Sequence, residues 1–189
     1  MKKSNIVWTA FACLAMSVAA WPQTTTPSGT ADILRHARAY QFQFRAGQYD
    51  AVPKFVAMME EATKADPENA DLSNAMGVAY LAKSAEAMLT GGKPADAWTA
   101  VQKGMHALER ALELNLDHAE ALATHGGVQA LMASFQQQPQ LAAKGVAEMN
   151  RAVELAPNSA RVRLVAPSMA SAFRTRCATT SPKPKTWTS

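Results

Sequence analysis

The sequence predicts an all-α fold of paired helices, about three αα-hairpins followed by a short, weak C-terminal helix. The first observation behind this is an internal repeat. Gly104 to Leu114 (GMHALERALEL) returns 41 residues later as Gly145 to Leu155 (GVAEMNRAVEL), while Ala70-Asp71 and Met76-Gly77 return 49 residues later as Ala119-Glu120 and His125-Gly126. Two different segments recur and alternate, as they do when the repeating unit is a helix pair. The second is periodicity: Trp98, Val101, Met105, Leu108 and Leu112 recur at the three- and four-residue steps of one helix face. The third is composition, 48% hydrophobic but only 7% aromatic and with few β-branched runs, which favours helix over sheet.

Taken in order, the chain opens on Lys2 and Lys3, runs apolar from Ile6 to Ala20 apart from Thr9 and Ser17, and reaches Val18-Ala19-Ala20. A charged start, an apolar run and small residues before a cut are the parts of an export signal. Residues 1–20 are therefore expected to be removed near Ala20, with a periplasmic or extracellular destination. The apolar run spans about 22 Å, short of a bilayer core of about 30 Å. Membrane contact is expected only through this segment, if it stays uncut. Cys13 lacks the usual preceding Leu and comes too early for a lipoprotein site. Residues 21–30, which include QTTTPSGT, read as a disordered polar linker.

A helical repeat domain is expected over 31–172, with helices near 31–46, 50–65, 69–89, 94–115, 118–135, 139–156 and a weak one from about 159. The loops between them are short, so neighbours should be antiparallel. Pro53 and Pro94 fall in first turns, where the missing N–H costs nothing. Gly91-Gly92 suits a left-handed helix end. Beside the large apolar stripe of the fourth helix runs a small one, Ala97, Ala100, Gly104, Ala107 and Ala111. Small residues admit a neighbouring helix closely, and the large stripe is expected to fill the remaining gap. At the far end Pro167 falls where a further repeat would place a mid-helix small residue, so weak order is expected after about residue 166. Residues 173–189 read as a disordered polar tail.

The net charge is +4, but the excess sits at the ends, in Lys2, Lys3, Arg174, Arg176, Lys183 and Lys185. The fold between is slightly acidic, which removes the main support for a nucleic-acid groove. No phosphate-binding or dinucleotide-binding glycine pattern, no His-Glu-x-x-His and no Cys-x-x-Cys is present. Gly126-Gly127 lies inside a helical segment and reads as a packing device. His106, His118 and His125 are the one conceivable metal cluster, read instead as a helix opener (His118), a core residue (His125) and no site. Cys177, beside Arg174 and Arg176, has no second mature Cys to pair with. The methionines, Met58, Met59, Met76, Met88, Met105, Met132 and Met149, mostly fall on apolar helical positions and read as core fillers first and an adaptable binding surface second. No catalytic residue, cofactor or metal is expected.

Met76-Gly77-Val78-Ala79-Tyr80, its weaker copy His125-Gly126-Gly127-Val128-Gln129, the turn Gly47-Gln48-Tyr49-Asp50-Ala51 and the junction Asp66-Pro67-Glu68-Asn69-Ala70 together resemble the tetratricopeptide repeat family, as a divergent exported member. Gly104, Leu108 and Ala111, repeated as Gly145, Met149 and Ala152, match its second-helix packing positions. The resemblance covers about residues 31–160. Offsets of 49 and 41 exceed the family's period of about 34, so the array is irregular.

The resemblance implies a right-handed αα-hairpin solenoid whose first helices line a concave face. Carried over, that face is Asp71, Asn74, Val78 and Leu81, then Glu120, Ala123, Gly127 and Leu131. It implies a protein-binding module for a peptide or protein segment, without catalysis. Two alternatives stand beside it: a structural subunit of an envelope complex packed permanently on a partner, and an enzyme with an unrecognised site.

Overall fold

The structure, a computed structural model, describes residues 29–165, with only the backbone of Ser134 and Phe135. The expected export signal, most of the linker, the break at Pro167 and the polar tail lie outside the described residues. The described chain is all-helical: α1 Thr30–Arg45, a 3-10 turn Tyr49–Ala51, α2 Val52–Ala65, α3 Ala70–Leu89, α4 Pro94–Leu114, α5 Ala119–Phe135 and α6 Pro139–Leu155. A seventh helix, α7, opens at residue 160 and is described to 165. Every described end lies within two residues of its expected place.

The helix ends fall into two kinds that alternate. Helices α1, α3 and α5 each stop in a left-handed residue, Gly47 (φ 83°), Gly91 (φ 79°) and Gln137 (φ 57°). The next amide then donates back into the helix: Gln48 to Gln43, Gly92 to Ala87 and Gln138 to Ala133, at 2.7–3.0 Å. This closure satisfies carbonyls that the last turn leaves open and reverses the chain within three or four residues. Helices α2, α4 and α6 instead end in non-helical residues of negative φ, Asp66 (φ −137°), Asn115 (φ −148°) and Ala156 (φ −138°). Three residues later a side chain caps the next helix. Asn69 accepts from the Leu72 amide, His118 Nδ1 from Ala121 and Ser159 Oγ from Val162, at 3.2–3.4 Å. Tight reversal and capped junction thus alternate, and they divide the chain into three helix pairs.

Within the second and third pairs the helices touch backbone to backbone. A Cβ added to Gly104 would lie 3.1 Å from the Gly77 carbonyl oxygen; one added to Gly145 would overlap the Gly126 carbonyl and sit 2.8 Å from the Ala130 amide nitrogen. The small stripe of α4 (Ala97, Ala100, Gly104, Ala107, Ala111) is buried throughout. The large stripe does not fill the gap as expected. Trp98 is 45% exposed, and Val101, Met105 and Leu112 are half-buried. The helices approach so closely that only small side chains fit along the contact line, and of the large stripe Leu108 alone is fully buried.

The first pair uses larger side chains. Tyr40 of α1 stacks on Phe55 of α2 at 5.5 Å, and Phe44 meets Tyr49 edge-on at 5.4 Å. Their core includes Val52, Phe55, Met59 and, from α3, Leu72. Tyr80, buried on α3, donates from its hydroxyl to Glu60 Oε1 of α2 at 2.5 Å, and Lys103 of α4 lies over its ring at 5.4 Å. Val162 of α7 is fully buried with Leu122, Ala123 and Ala152, so α7 covers part of the α5–α6 pair.

Candidate functional site

The capped junctions bring the first turns of α3, α5 and α7 together. The His118 ring accepts the Ala121 amide at Nδ1, which leaves the proton on Nε2; Nε2–H then donates to Asp71 Oδ1 at 3.0 Å. One turn further, Arg161 Nη1 of α7 donates to Glu120 Oε2 of α5 at 2.7 Å. Asp71, Glu120 and Arg161 each stand two residues after a cap; Asp71 reaches the cap of α5, and Glu120 reaches the residue at its own place in α7. A second series ties the first two junctions to the second helix after each: Glu68 pairs with Arg110 of α4 at 3.0 Å, and Asp117 with Arg151 of α6.

These contacts form one wall of a cleft of about 330 Å³, and α1 forms the other. A smaller recess of about 110 Å³ continues it, sharing Gln41, Asn74, Glu120 and Arg161. Apart from the terminal residues Asn115 and Ala156 and the junction residue Asp117, every lining side chain comes from α1, α3, α5 or α7 and its cap. The paired helices α2 and α6 and the body of α4 stay outside. Helical phase explains this. Asp71, Asn74 and Val78 lie on one stripe of α3, while Gly77 turns the neighbouring stripe to α4.

Of the residues expected on the groove, Asp71, Asn74, Val78, Glu120 and Ala123 line the cleft or its recess. Leu81 turns the other way. It lies about 40° round the helix from Gly77, and its Cδ2 is where a Gly104 Cβ would meet it at 3.2 Å; it packs with Leu108, Ala111 and Ala121. Gly127 is buried and Leu131 half-buried, and neither lines the cleft. The sequence reading missed Arg38, Gln41 and Arg45 on α1. Their signal was a polar stripe at steps of three and four, but α1 repeats none of the segments that exposed the pattern elsewhere.

Asn74 is 7% exposed, and its Oδ1 is buried without a hydrogen-bond partner among the described residues. The lining acids are all engaged: Asp71 by His118, Asp117 by Arg151 and Glu120 by Arg161. Arg38 and Arg45 have no ion-pair partner among the described residues.

The other histidines stand apart from the cleft. His125, 6% exposed, binds Glu148 Oε2 of α6 through Nδ1 at 2.6 Å, and its Nε2 lies 3.8 Å from Glu109 Oε1 of α4. It is a core residue that ties α5 to α6 through Glu148, while its Nε2 is buried without a hydrogen-bond partner among the described residues. His106 is exposed. Among the described residues no three His, Cys, Asp or Glu side chains converge on a metal position, and no helix is long and apolar enough to cross a membrane.

Compared with known proteins, the chain matches no family model, and no curated protein is significantly similar to it.

Proposed function

We propose that the chain is a tetratricopeptide-like binding module, an exported right-handed solenoid that holds a segment of another protein in the cleft and carries out no catalysis. The observation that supports this most is the lining. A cleft built from the first helix of each pair, with the second helices turned away, is what stacked helix pairs produce when each is rotated slightly on the last. Asp71, Asn74 and Glu120 carry hydrogen-bonding groups and Val78 small apolar surface, which suit an extended segment of chain.

Selection from a random-peptide display library on the immobilised full chain tests the reading. Enriched peptides are expected to bind the parent protein and to lose affinity for Gln41→Trp, which fills the cleft, but not for Lys54→Trp at an exposed position of α2. A library that enriches nothing, or peptides that bind Gln41→Trp equally well, would contradict it.

A second reading, a subunit packed permanently on an envelope partner, draws support from the turn of the α3–α4 pair. Met88 and Leu89 at the end of α3 are 74% and 64% exposed, and Trp98 in the second turn of α4 is 45% exposed. Under this reading Met88→Ser with Leu89→Ser abolishes stable co-purification with the partner and leaves peptide selection unaltered.

A further inference from the structure

We propose that the segment the cleft takes is acidic, with two carboxylates about three residues apart on an extended chain, read by Arg38 and Arg45 of α1. This rests on the cleft being a protein-binding site, and it adds what the ligand must carry.

The charge pattern comes first. The acids lining the cleft are engaged by His118, Arg151 and Arg161, while Arg38 and Arg45 have no ion-pair partner among the described residues. Bound to a neutral imidazole, Asp71 keeps its charge, so the uncommitted charge of the cleft is two arginines against one carboxylate, a positive balance although the fold as a whole is slightly acidic. An acidic occupant gains from both arginines, and the one lining carboxylate without a cationic partner, Asp71, already accepts from His118, whereas a basic occupant meets two unpaired cations.

The spacing comes second. Arg38 and Arg45 are seven residues apart on one helix face, about 10 Å along the axis at 1.5 Å per residue. A chain in the polyproline II conformation advances about 9 Å in one three-residue turn, returning side chains three apart to the same side. An acid-x-x-acid segment thus matches the arginine pair.

The third observation is Asn74, between α1 and the Glu120–Arg161 pair. Its amide is more than nine-tenths buried, its Oδ1 has no partner, and it lines both the cleft and the recess. Buried amide oxygens are rarely left unpaired in folded proteins. At the matching place in the next pair stands the small Ala123, and both residues line the recess of about 110 Å³. A rotation of the Asn74 amide toward the cleft lets a peptide N–H laid along it supply the missing partner.

Fluorescence anisotropy with short labelled peptides carrying Glu-Ala-Pro-Glu, Gln-Ala-Pro-Gln or Lys-Ala-Pro-Lys tests the proposal on the full chain. The Glu peptide is expected to bind, more weakly as salt rises. Arg38→Glu with Arg45→Glu should weaken it by about tenfold or more and admit the Lys peptide instead. Both arginines are exposed, so the variant's melting temperature should match the parent's; if it does not, Arg38→Gln with Arg45→Gln gives the same comparison without repulsion. Equal binding of the Gln peptide, or an undiminished Glu peptide on both variants, would overturn the proposal. So would displacement of the Glu peptide by phosphatidylglycerol vesicles at matched charge, since the pair would then read lipid headgroups. A display library that enriches neutral or basic peptides dependent on Gln41 would overturn the acidic preference and keep the binding site. One that enriches nothing removes both.

Discussion

Tyr80 ties three helices through one side chain. Its phenol is pushed up from the ordinary 10.0 to about 12, first by burial, then by its hydrogen bond to Glu60 and by that carboxylate's charge. The folded state therefore keeps a proton that the unfolded chain releases near pH 10. The associated stability is fully present below pH 10 and is lost as pH rises toward 12. Thermal melts across that window should fall less steeply for Tyr80→Phe than for the parent, and the tyrosinate absorbance of the folded parent should show one phenol titrating late. Gln137 offers a second test. It occupies the left-handed position that Gly47 and Gly91 fill in the other two reversals, and an L-residue there costs about 1–2 kcal/mol. Glycine's extra freedom in the unfolded chain returns part of this. Gln137→Gly is expected to raise the urea midpoint, with a net gain of roughly 0.5–1 kcal/mol. At this scale the sequence was readable where a residue's role is local. His118 was legible as a helix opener, but its bond to Asp71 was not, because the two meet only when α3 and α5 lie side by side.

Among the elements, the alanine and glycine stripes explain why α3 with α4 and α5 with α6 form the tightest pairs. The contacts at Gly104 are at the near edge of what a methyl tolerates, while those at Gly145 are overlaps with backbone atoms that cannot give way. Gly104→Ala should thus be nearly neutral, since alanine's gain in helix propensity, about 1 kcal/mol, offsets the crowding. Gly145→Ala should cost about 1–3 kcal/mol despite the same gain, and Gly104→Leu a similar amount. Denaturant midpoints of the three variants check this ranking; equal effects at Gly104 and Gly145 would show that the two pairs do not close alike. Helix positions were legible from period, proline and glycine signals. The depth of approach was not, because periodicity marks which stripe is apolar without saying how near the partner's backbone comes. That is why the large stripe of α4 was expected at the centre and lies on the shoulder.

At the scale of the molecule, repetition made part of the candidate site readable. Asp71 and Glu120 announced each other through their shared place after a cap, and both line the cleft. The opposite wall belongs to α1, whose sequence repeats nothing, so Arg38, Gln41 and Arg45 could be placed only by folding. Hydrogen exchange on the full chain, with and without a peptide enriched by selection, tests most directly whether the first helices form one binding face. Added protection is predicted on α1 over 38–45, on α3 over 71–78 and on α5 over 118–124, with α2, α4 and α6 unchanged. Protection concentrated on α2, α4 or α6, with the first helices exchanging as before, would contradict it.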